Sequence, residues 1–258
     1  MTNRTLEVIN KILSDFLPVS LSQIEEVKLM NRIDRKYWFH VSGLNEILIR
    51  ALSDYNILEI NNQRLMDYET TYFDTPDNLM YRFHHNRKLN RYKIRKRTYF
   101  STNSNFLEIK LKNNKRRTIK ERIETEVSEN YFSDNESVFI AKTSPFEGKQ
   151  LIPAIKNHFQ RITLVNKNKT DRCTIDINLN FENDSDVIKL EDLVIVEIKR
   201  GQNLKSSPLL NLLREKRIRQ RGLSKYCTGR AMLEPELKQN AFKPRLRFIN
   251  KNITFNNN

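Results

Sequence analysis

Glycine is scarce in this chain, with five among 258 residues. No G-x-G-x-x-G or G-x-x-x-x-G-K-[ST] string occurs. A glycine-rich loop that cradles phosphate with its backbone is therefore excluded, and any phosphate bound here must be held by side chains. Cysteine is nearly absent: Cys173 and Cys227 are the only two, which fits two small buried thiols in a reducing compartment better than a disulfide framework. No stretch approaches the roughly 18 consecutive apolar residues of a spanning helix. Residues 1–16 carry Glu7, Lys11 and Asp15, a pattern that predicts neither a signal peptide nor an anchor. A cytoplasmic location is the expectation. Acidic residues are also in deficit: 31 Asp and Glu stand against 46 Lys and Arg, a net charge of +15. Such an excess implies an anionic partner, whether nucleic acid, an anionic membrane or a phosphorylated small molecule.

What is present is a set of amphipathic segments. Leu6, Ile9, Leu13 and Phe16 recur at helical spacing over 5–16, with Thr5 as the expected cap. A second helix is expected over 43–55, with Leu44, Ile47, Leu48, Ala51 and Leu52 on one face. A third is expected within 153–163. A fourth begins at Ser207-Pro208 and ends in Lys216, Arg217 and Arg219, a basic exit that suits the helix dipole. A last helix covers 224–233. The irregular stretch 128–151 reads as a helical insertion. Between these, period-two alternation predicts strands over 36–41, 68–74, 91–99, 106–112, 118–126, 170–179 and 193–199.

The polar faces of these strands are unusual in sign. In 91–99, Arg91, Lys93, Arg95 and Arg97 share one face. Glu108, Lys110 and Lys112 share a face in the next strand, and Lys120, Arg122 and Glu124 in the one after. Arg172 and Asp176 share a face of 170–179, Glu197 and Lys199 a face of 193–199. From Arg82 to Arg122 there are fifteen Lys or Arg against two Asp or Glu. A solvated face explains any one such strand. Like charges repeated across neighbouring strands repel, and a bound anion relieves that repulsion. Two readings compete: a surface sheet that binds RNA, and an enclosed phosphate site. The interspersed carboxylates Glu108, Glu124 and Glu197 favour the second, because Mg²⁺ or Mn²⁺ takes carboxylate and phosphate oxygens together. The aliphatic opposite faces call for cover by the amphipathic helices, which together describe a barrel with a polar lumen.

Eight strings, in order, carry a resemblance to a known family: RIDRKYWF at 32–39, YETTYFDTPD at 68–77, RYKIRKRTY at 91–99, FLEIKLK at 106–112, TIKERI at 118–123, DRCTIDINLNF at 171–181, VIVEIKR at 194–200 and LSKYCTG at 223–229. Together they resemble the VTC domain, the polyphosphate polymerase module of the vacuolar transporter chaperone complex and its bacterial relatives, among the triphosphate tunnel metalloenzymes. The resemblance implies an α+β fold: an eight-stranded antiparallel barrel with helices packed outside and a basic tunnel within. It implies three segments: a helical 1–31, a tunnel barrel over 32–235 and a tail over 236–258. The related CYTH phosphatases begin with an ExExK string. Here those positions read Arg32, Asp34 and Lys36, and the missing first glutamate favours the VTC branch. Eukaryotic relatives also carry an SPX domain and membrane helices, and no such segment is read here.

By position, the resemblance implies Arg95, Arg97, Lys110 and Lys225 as catalytic phosphate contacts. It implies Lys36, Lys120, Arg122, Arg161, Arg172 and Lys199 as further substrate contacts. Glu197 is implied as the holder of Mn²⁺ or Mg²⁺, with Glu108 and Glu124 as weaker candidates. The implied reaction moves the γ-phosphate of ATP onto a growing polyphosphate chain. Triphosphate hydrolysis on the same scaffold and polyphosphate binding without chemistry stay open. ATP and polyphosphate are the expected partners, with no nucleic acid. Any membrane step would require a separate membrane protein, which would hold this chain at the inner face of the membrane.

Overall fold

The computed structural model describes residues 1–25, 32–115, 117–126, 131–201 and 206–254. In chain order the elements are α1 (Asn3–Ser14), β1 (Pro18–Val19), α2 (Leu21–Glu25), β2 (Arg32–His40), α3 (Leu44–Ala51), β3 (Tyr55–Leu58), β4 (Met66–Asp74) and α4 (Leu79–His85). Then come β5 (Arg91–Tyr99), β6 (Ser104–Lys112), β7 (Thr118–Thr125), α5 (Asp134–Thr143), β8 (Ile152–Asn166), β9 (Asp171–Glu182), β10 (Val187–Leu190) and β11 (Leu193–Gly201). The chain closes with α6 (Pro208–Glu215), α7 (Lys225–Leu233) and α8 (Lys243–Ile249).

Eight strands form one continuous path, β2-β11-β9-β8-β4-β5-β6-β7, antiparallel at every pairing. This is the expected strand number and sense. The wall is barrel-like but not sealed: β2 and β7, the ends of the path, do not pair with each other among the described residues. Side chains on β2 and β11 nevertheless act electrostatically on those of β5 and β6, so the path curls until its two halves face across a lumen.

Alternation sorts the residues. On the outer face, Cys173, Ile175 and Ile177 of β9 and Val194, Val196 and Ile198 of β11 pack in one cluster with Ile9 and Leu13 of α1, Leu44, Ile47 and Leu48 of α3, and Leu209, Leu210 and Leu213 of α6. The N-terminal helix is thus part of the barrel's cover. Further along the wall, Ile94, Leu107 and Ile109 pack with Met80 of α4 and Ile140 of α5. On the inner face, Trp38, Tyr68, Tyr72, Ile155, Phe159 and Ile195 cluster with Tyr226, Cys227 and Ala231 of α7 and with Ile249 of α8. So α7 does not lie outside with α1, α3 and α6 but sits against the concave face. The segment expected to be a tail contains α8, and Phe242, Ile249 and Ile253 are buried there.

Several expectations need correction. The helix expected within 153–163 is the strand β8. Its apolar residues Ile155, Phe159 and Ile162 fall at helical spacing because both faces of this central strand are buried: Ile155 and Phe159 join the inner cluster and Ile162 the outer one. In β9 the alternation slips. Asn178 adopts φ 52°, a left-handed conformation that asparagine tolerates. Registry moves from Gln160↔Ile177 to His158↔Asn180 across it, a bulge. Leu179, expected on the face of Ile177, therefore turns inward with Phe181. The cap of α1 is Thr2, not Thr5, with Thr5 donating its N–H to the Thr2 hydroxyl. The helix expected over 43–55 is α3, which stops at Ala51 because Tyr55 starts β3. Ser207 and Ser224 do cap α6 and α7. Of the stretch 128–151, residues 128–130 lie outside the described residues, and α5 is the expected helix.

Candidate phosphate-binding lumen

The inner face of β5, β6 and β4 brings the first group together. Arg95 and Glu108 are cross-strand partners. Arg95 donates from Nε to Glu108 at 2.6 Å and from Nη1 to the Tyr72 hydroxyl at 3.1 Å. Lys120 on β7 donates to the other Glu108 oxygen at 2.6 Å. Arg97, 7% exposed, donates Nε to Thr70 at 3.1 Å, with the rings of Tyr68, Tyr99 and Phe159 about it. Such rings offer their negative faces to a guanidinium and fix its plane. Lys93 donates to the Ser224 hydroxyl at 2.8 Å, which ties this wall to the start of α7. Lys110 makes no hydrogen bond or close ion pair among the described residues.

The second group lies on β8, β9 and α7. Arg161 and Asp176 are cross-strand partners; the guanidinium grips the carboxylate through Nε at 2.6 Å and Nη2 at 2.9 Å. Lys225, the first residue of α7, pairs with the same carboxylate and lies 3.5 Å from the centre of the Phe159 ring. Gly229 lets α7 seat this deeply, since a Cβ there would stand 2.5 Å from side-chain atoms of both Ile155 and Phe181.

The third group is on β2 and β11. Glu197 lies opposite Lys36, and the ammoniums of Lys36 and Lys199 each stand 3.8 Å from it. Arg172 is registered against Lys199. Glu108 and Asp176 are saturated by short charge-assisted hydrogen bonds, while Glu197 has only these looser ion pairs.

Burial and the surplus of positive charge together shift several of these groups. Burial, then Lys93 and Lys36, pushes Lys110 down to about 8. Burial takes Lys120 and Lys225 to about 8 as well, against the pull of Glu108 and Asp176 respectively. Lys93 and Lys199 are lowered by burial too. Burial would raise Tyr72, but Arg95, Arg97 and Lys93 bring it down to about 7. Glu197 falls to about 2, burial being outweighed by Lys36 and Lys199, and Glu108 and Asp176 lie well below the carboxylate range for the same reason. His84 on α4 is driven down to about 2 by burial and by Lys93, Arg91 and Lys110. A lumen that lowers the pKa of its own lysines by burial and mutual repulsion is one in which anionic charge is favoured.

The structure brings Lys36, Arg95, Arg97, Lys110, Lys120, Arg161, Arg172, Lys199 and Lys225 to the inner face, with Glu108 and Glu197. Arg122 and Glu124 stand on the inner face of β7 and, like Lys110 and Lys120, are exposed; Arg122 covers the ring of Phe106 at 4.4 Å. The three glutamates do not converge, and no group of three metal-ligating side chains forms among the described residues. Four functional residues went unassigned in the sequence. Lys93 lies two residues from Arg95, and alternation alone places it in the site. Asp176 carries the same strand signal but reads as an ordinary polar residue until Arg161 and Lys225 meet on it. Tyr72 and Thr70 sit in a strand whose two faces are both buried, which hides their direction.

A search of curated protein sequences finds no match. The profile described as the VTC domain matches residues 31–234. Among solved structures, a candidate adenylate cyclase of Bacillus halodurans is similar at 13% identity, covering 76% of this chain and 96% of its own, with a TM-score of 0.48. One from Vibrio parahaemolyticus has 10% identity, 75% and 94% coverage and a TM-score of 0.45. A candidate adenylyl cyclase of Hippeastrum with a dominant triphosphatase activity has 14% identity, 78% and 95% coverage and a TM-score of 0.43.

Proposed function

This chain belongs to the VTC domain family, and on that premise we propose that it is a polyphosphate polymerase that transfers the γ-phosphate of ATP onto a phosphate chain held in the lumen. The observation that carries the reading is the convergence of cations from strands β2, β5, β6, β7, β8, β9 and β11 and from α7 onto one lumen where three carboxylates, the buried Glu108 and Asp176 and the half-buried Glu197, are already paired with cations. Among the described residues Lys93, Arg97 and Lys110 have no close carboxylate, and they ask for an extended ligand with charge at every step, which is what a phosphate chain offers.

Phosphoryl transfer needs positioning and charge neutralisation more than covalent participation. Arg95 and Arg97 act as the clamp on the triphosphate, Arg95 fixed by Glu108 and Tyr72, Arg97 by Thr70. Guanidinium groups bind phosphate oxygens through paired N–H donors, and ammonium groups act as point charges. Lys225, anchored by Asp176, closes the end where α7 fills the lumen. Lys36, Lys110, Lys120, Arg161, Arg172 and Lys199 line the path of the chain, and Arg122 its exposed rim. Glu197 would hold Mg²⁺ or Mn²⁺. One carboxylate suits such an ion when phosphate oxygens supply other ligands, and Glu197 is the lumen carboxylate whose oxygens are not consumed by short hydrogen bonds. When bound, the ion neutralises charge developing on the transferred group.

A terminal phosphate acceptor is itself an anion, so the lumen that binds the donor chain can also hold the acceptor. The test is Arg95→Ala combined with Arg97→Ala in the presence of ATP and Mn²⁺. Chain formation is expected to fall by at least about a hundredfold, as loss of preorganised donors at a transferring group does. Unchanged product formation would refute the assignment.

A further inference from the structure

Outside the lumen, a second basic cavity of about 280 Å³ lies along the edge of β2 that ends the strand path. Arg217, Arg219 and Arg221 line it, with Trp38, Phe248 and Asn252. Arg217 lies in the left-handed turn that closes α6, at φ 56°, and Arg219 and Arg221 in the segment after it, which is held to β2 by the Tyr37↔Gln220 bridge and by the Arg221 N–H to the Lys36 carbonyl at 2.9 Å. None of the three guanidiniums has a carboxylate partner or a side-chain hydrogen bond among the described residues. Arg221 is nevertheless held in place: it stacks 3.8 Å from the centre of the Phe248 ring and 5.4 Å from that of Trp38. Its face is used and its N–H edge is not. Trp38, 2% exposed, has a buried indole N–H with no partner among the described residues, although a buried indole ordinarily finds an acceptor. Three arginines that line one cavity with no carboxylate partner among the described residues describe an anion site.

The same segment leads into the lumen. Two residues after Arg221, the Leu223 carbonyl accepts from Lys36 at 3.4 Å, and Ser224 and Lys225 follow at Lys93 and Asp176. From Ile218 to Arg221 the segment covers roughly 10 Å at ~3.3 Å per residue, with Arg217 in the turn before it, long enough to meet more than one phosphate of a chain. We propose that this groove is a second phosphate-chain site, an external continuation of the lumen that holds polyphosphate too long to fit inside. The identity of the chain rests on the proposed function; the groove itself does not. Single-stranded RNA fits less well, because nucleic-acid grooves offer open aromatic faces for bases, and here Arg221 covers Phe248 while Trp38 and Phe39 are buried.

The test compares the whole protein with Arg217→Ala/Arg219→Ala, two exposed side chains outside the packed core, by calorimetric titration with tripolyphosphate and with polyphosphate of about a hundred units. The double variant is expected to bind tripolyphosphate normally and the long chain roughly tenfold or more weakly, with an unchanged melting temperature. Long-chain binding equal to that of the parent overturns the proposal. A single-stranded RNA that displaces the long chain from the parent but not from the double variant, while leaving tripolyphosphate bound, also overturns it in favour of nucleic acid. Arg95→Ala/Arg97→Ala separates the two claims: if that variant keeps full tripolyphosphate affinity, the lumen reading fails while the groove result stands.

Discussion

At the scale of single residues, the lumen behaves as a set of groups whose ionisation depends on one another. Lys110, Lys120 and Lys225 are lowered to about 8 and Tyr72 to about 7. A bound phosphate chain supplies negative charge, favours the ammonium and disfavours the phenolate, and so raises all four. Binding must therefore take up protons between pH 7 and 9, and affinity must fall as pH rises through that window. Calorimetry of tripolyphosphate binding at pH 8 in buffers of differing ionisation enthalpy is expected to give net proton uptake. Zero uptake would mean that these groups do not face the ligand. In the ligand-free protein the sign for stability is opposite to that of a stabilising pair. The lysines bind fewer protons folded than unfolded, so they favour folding increasingly as pH rises from about 8 towards their unfolded value. The carboxylates can be separated in the same way. Glu197→Gln is expected to abolish the extra rise in melting temperature that Mn²⁺ adds to tripolyphosphate while leaving the effect of tripolyphosphate alone. If the Mn²⁺ increment survives, Glu197 does not hold the ion.

At the scale of elements, the site depends on how α7 is seated. Gly229 lies inside a helix, where alanine is ordinarily the better residue by about 1 kcal/mol. Here a methyl group would meet Ile155 and Phe181 at 2.5 Å. Gly229→Ala is therefore expected to destabilise by about 1–3 kcal/mol in urea denaturation, and a stabilised variant would contradict the close seating. Asp74, fully buried, fixes the other side of the helix. Its Oδ1 accepts the N–H groups of Thr75 and Met80, and its Oδ2 the N–H of Tyr81, the Tyr226 hydroxyl and Arg230. An amide cannot accept at both ends, so Asp74→Asn is expected to cost about 3 kcal/mol, read from the same denaturation curves. A loss below about 1 kcal/mol would mean that the hub is solvated. Elements whose two faces differ in polarity were legible from sequence: β5 and β6 alternate cleanly, and α6 and α7 announce themselves with Ser caps. Elements buried on both faces were not. Ile155, Phe159 and Ile162 of β8 mimic a helix because apolar residues occur on either side of the strand. The slip at Asn178 is set by pairing with Gln160 and His158, which lie in a different strand. The string YFDTPD carries family likeness, yet its Asp74 tethers α4 and α7 and does not reach phosphate.

For the whole molecule, the net charge of +15 divides into positions with different fates. Lys96, on the outer face of β5, is buried against Glu136 of α5 at 2.9 Å and belongs to the cover of the barrel. The lysines and arginines of the inner face repel one another unless an anion lies among them, and those on the β2 edge extend the same field outward. That division explains why charge alternation along the strands predicted a basic sheet, and why its enclosure became visible only once Lys36 and Glu197 faced Lys93 and Lys110 across the lumen. The central claim is that this field holds a phosphate chain while it is being built. It is tested most directly by incubating the pure protein with ATP and Mn²⁺ and resolving the products on a gel stained for polyphosphate. Long chains accumulating with ADP are the predicted result, and free phosphate without chains would contradict it.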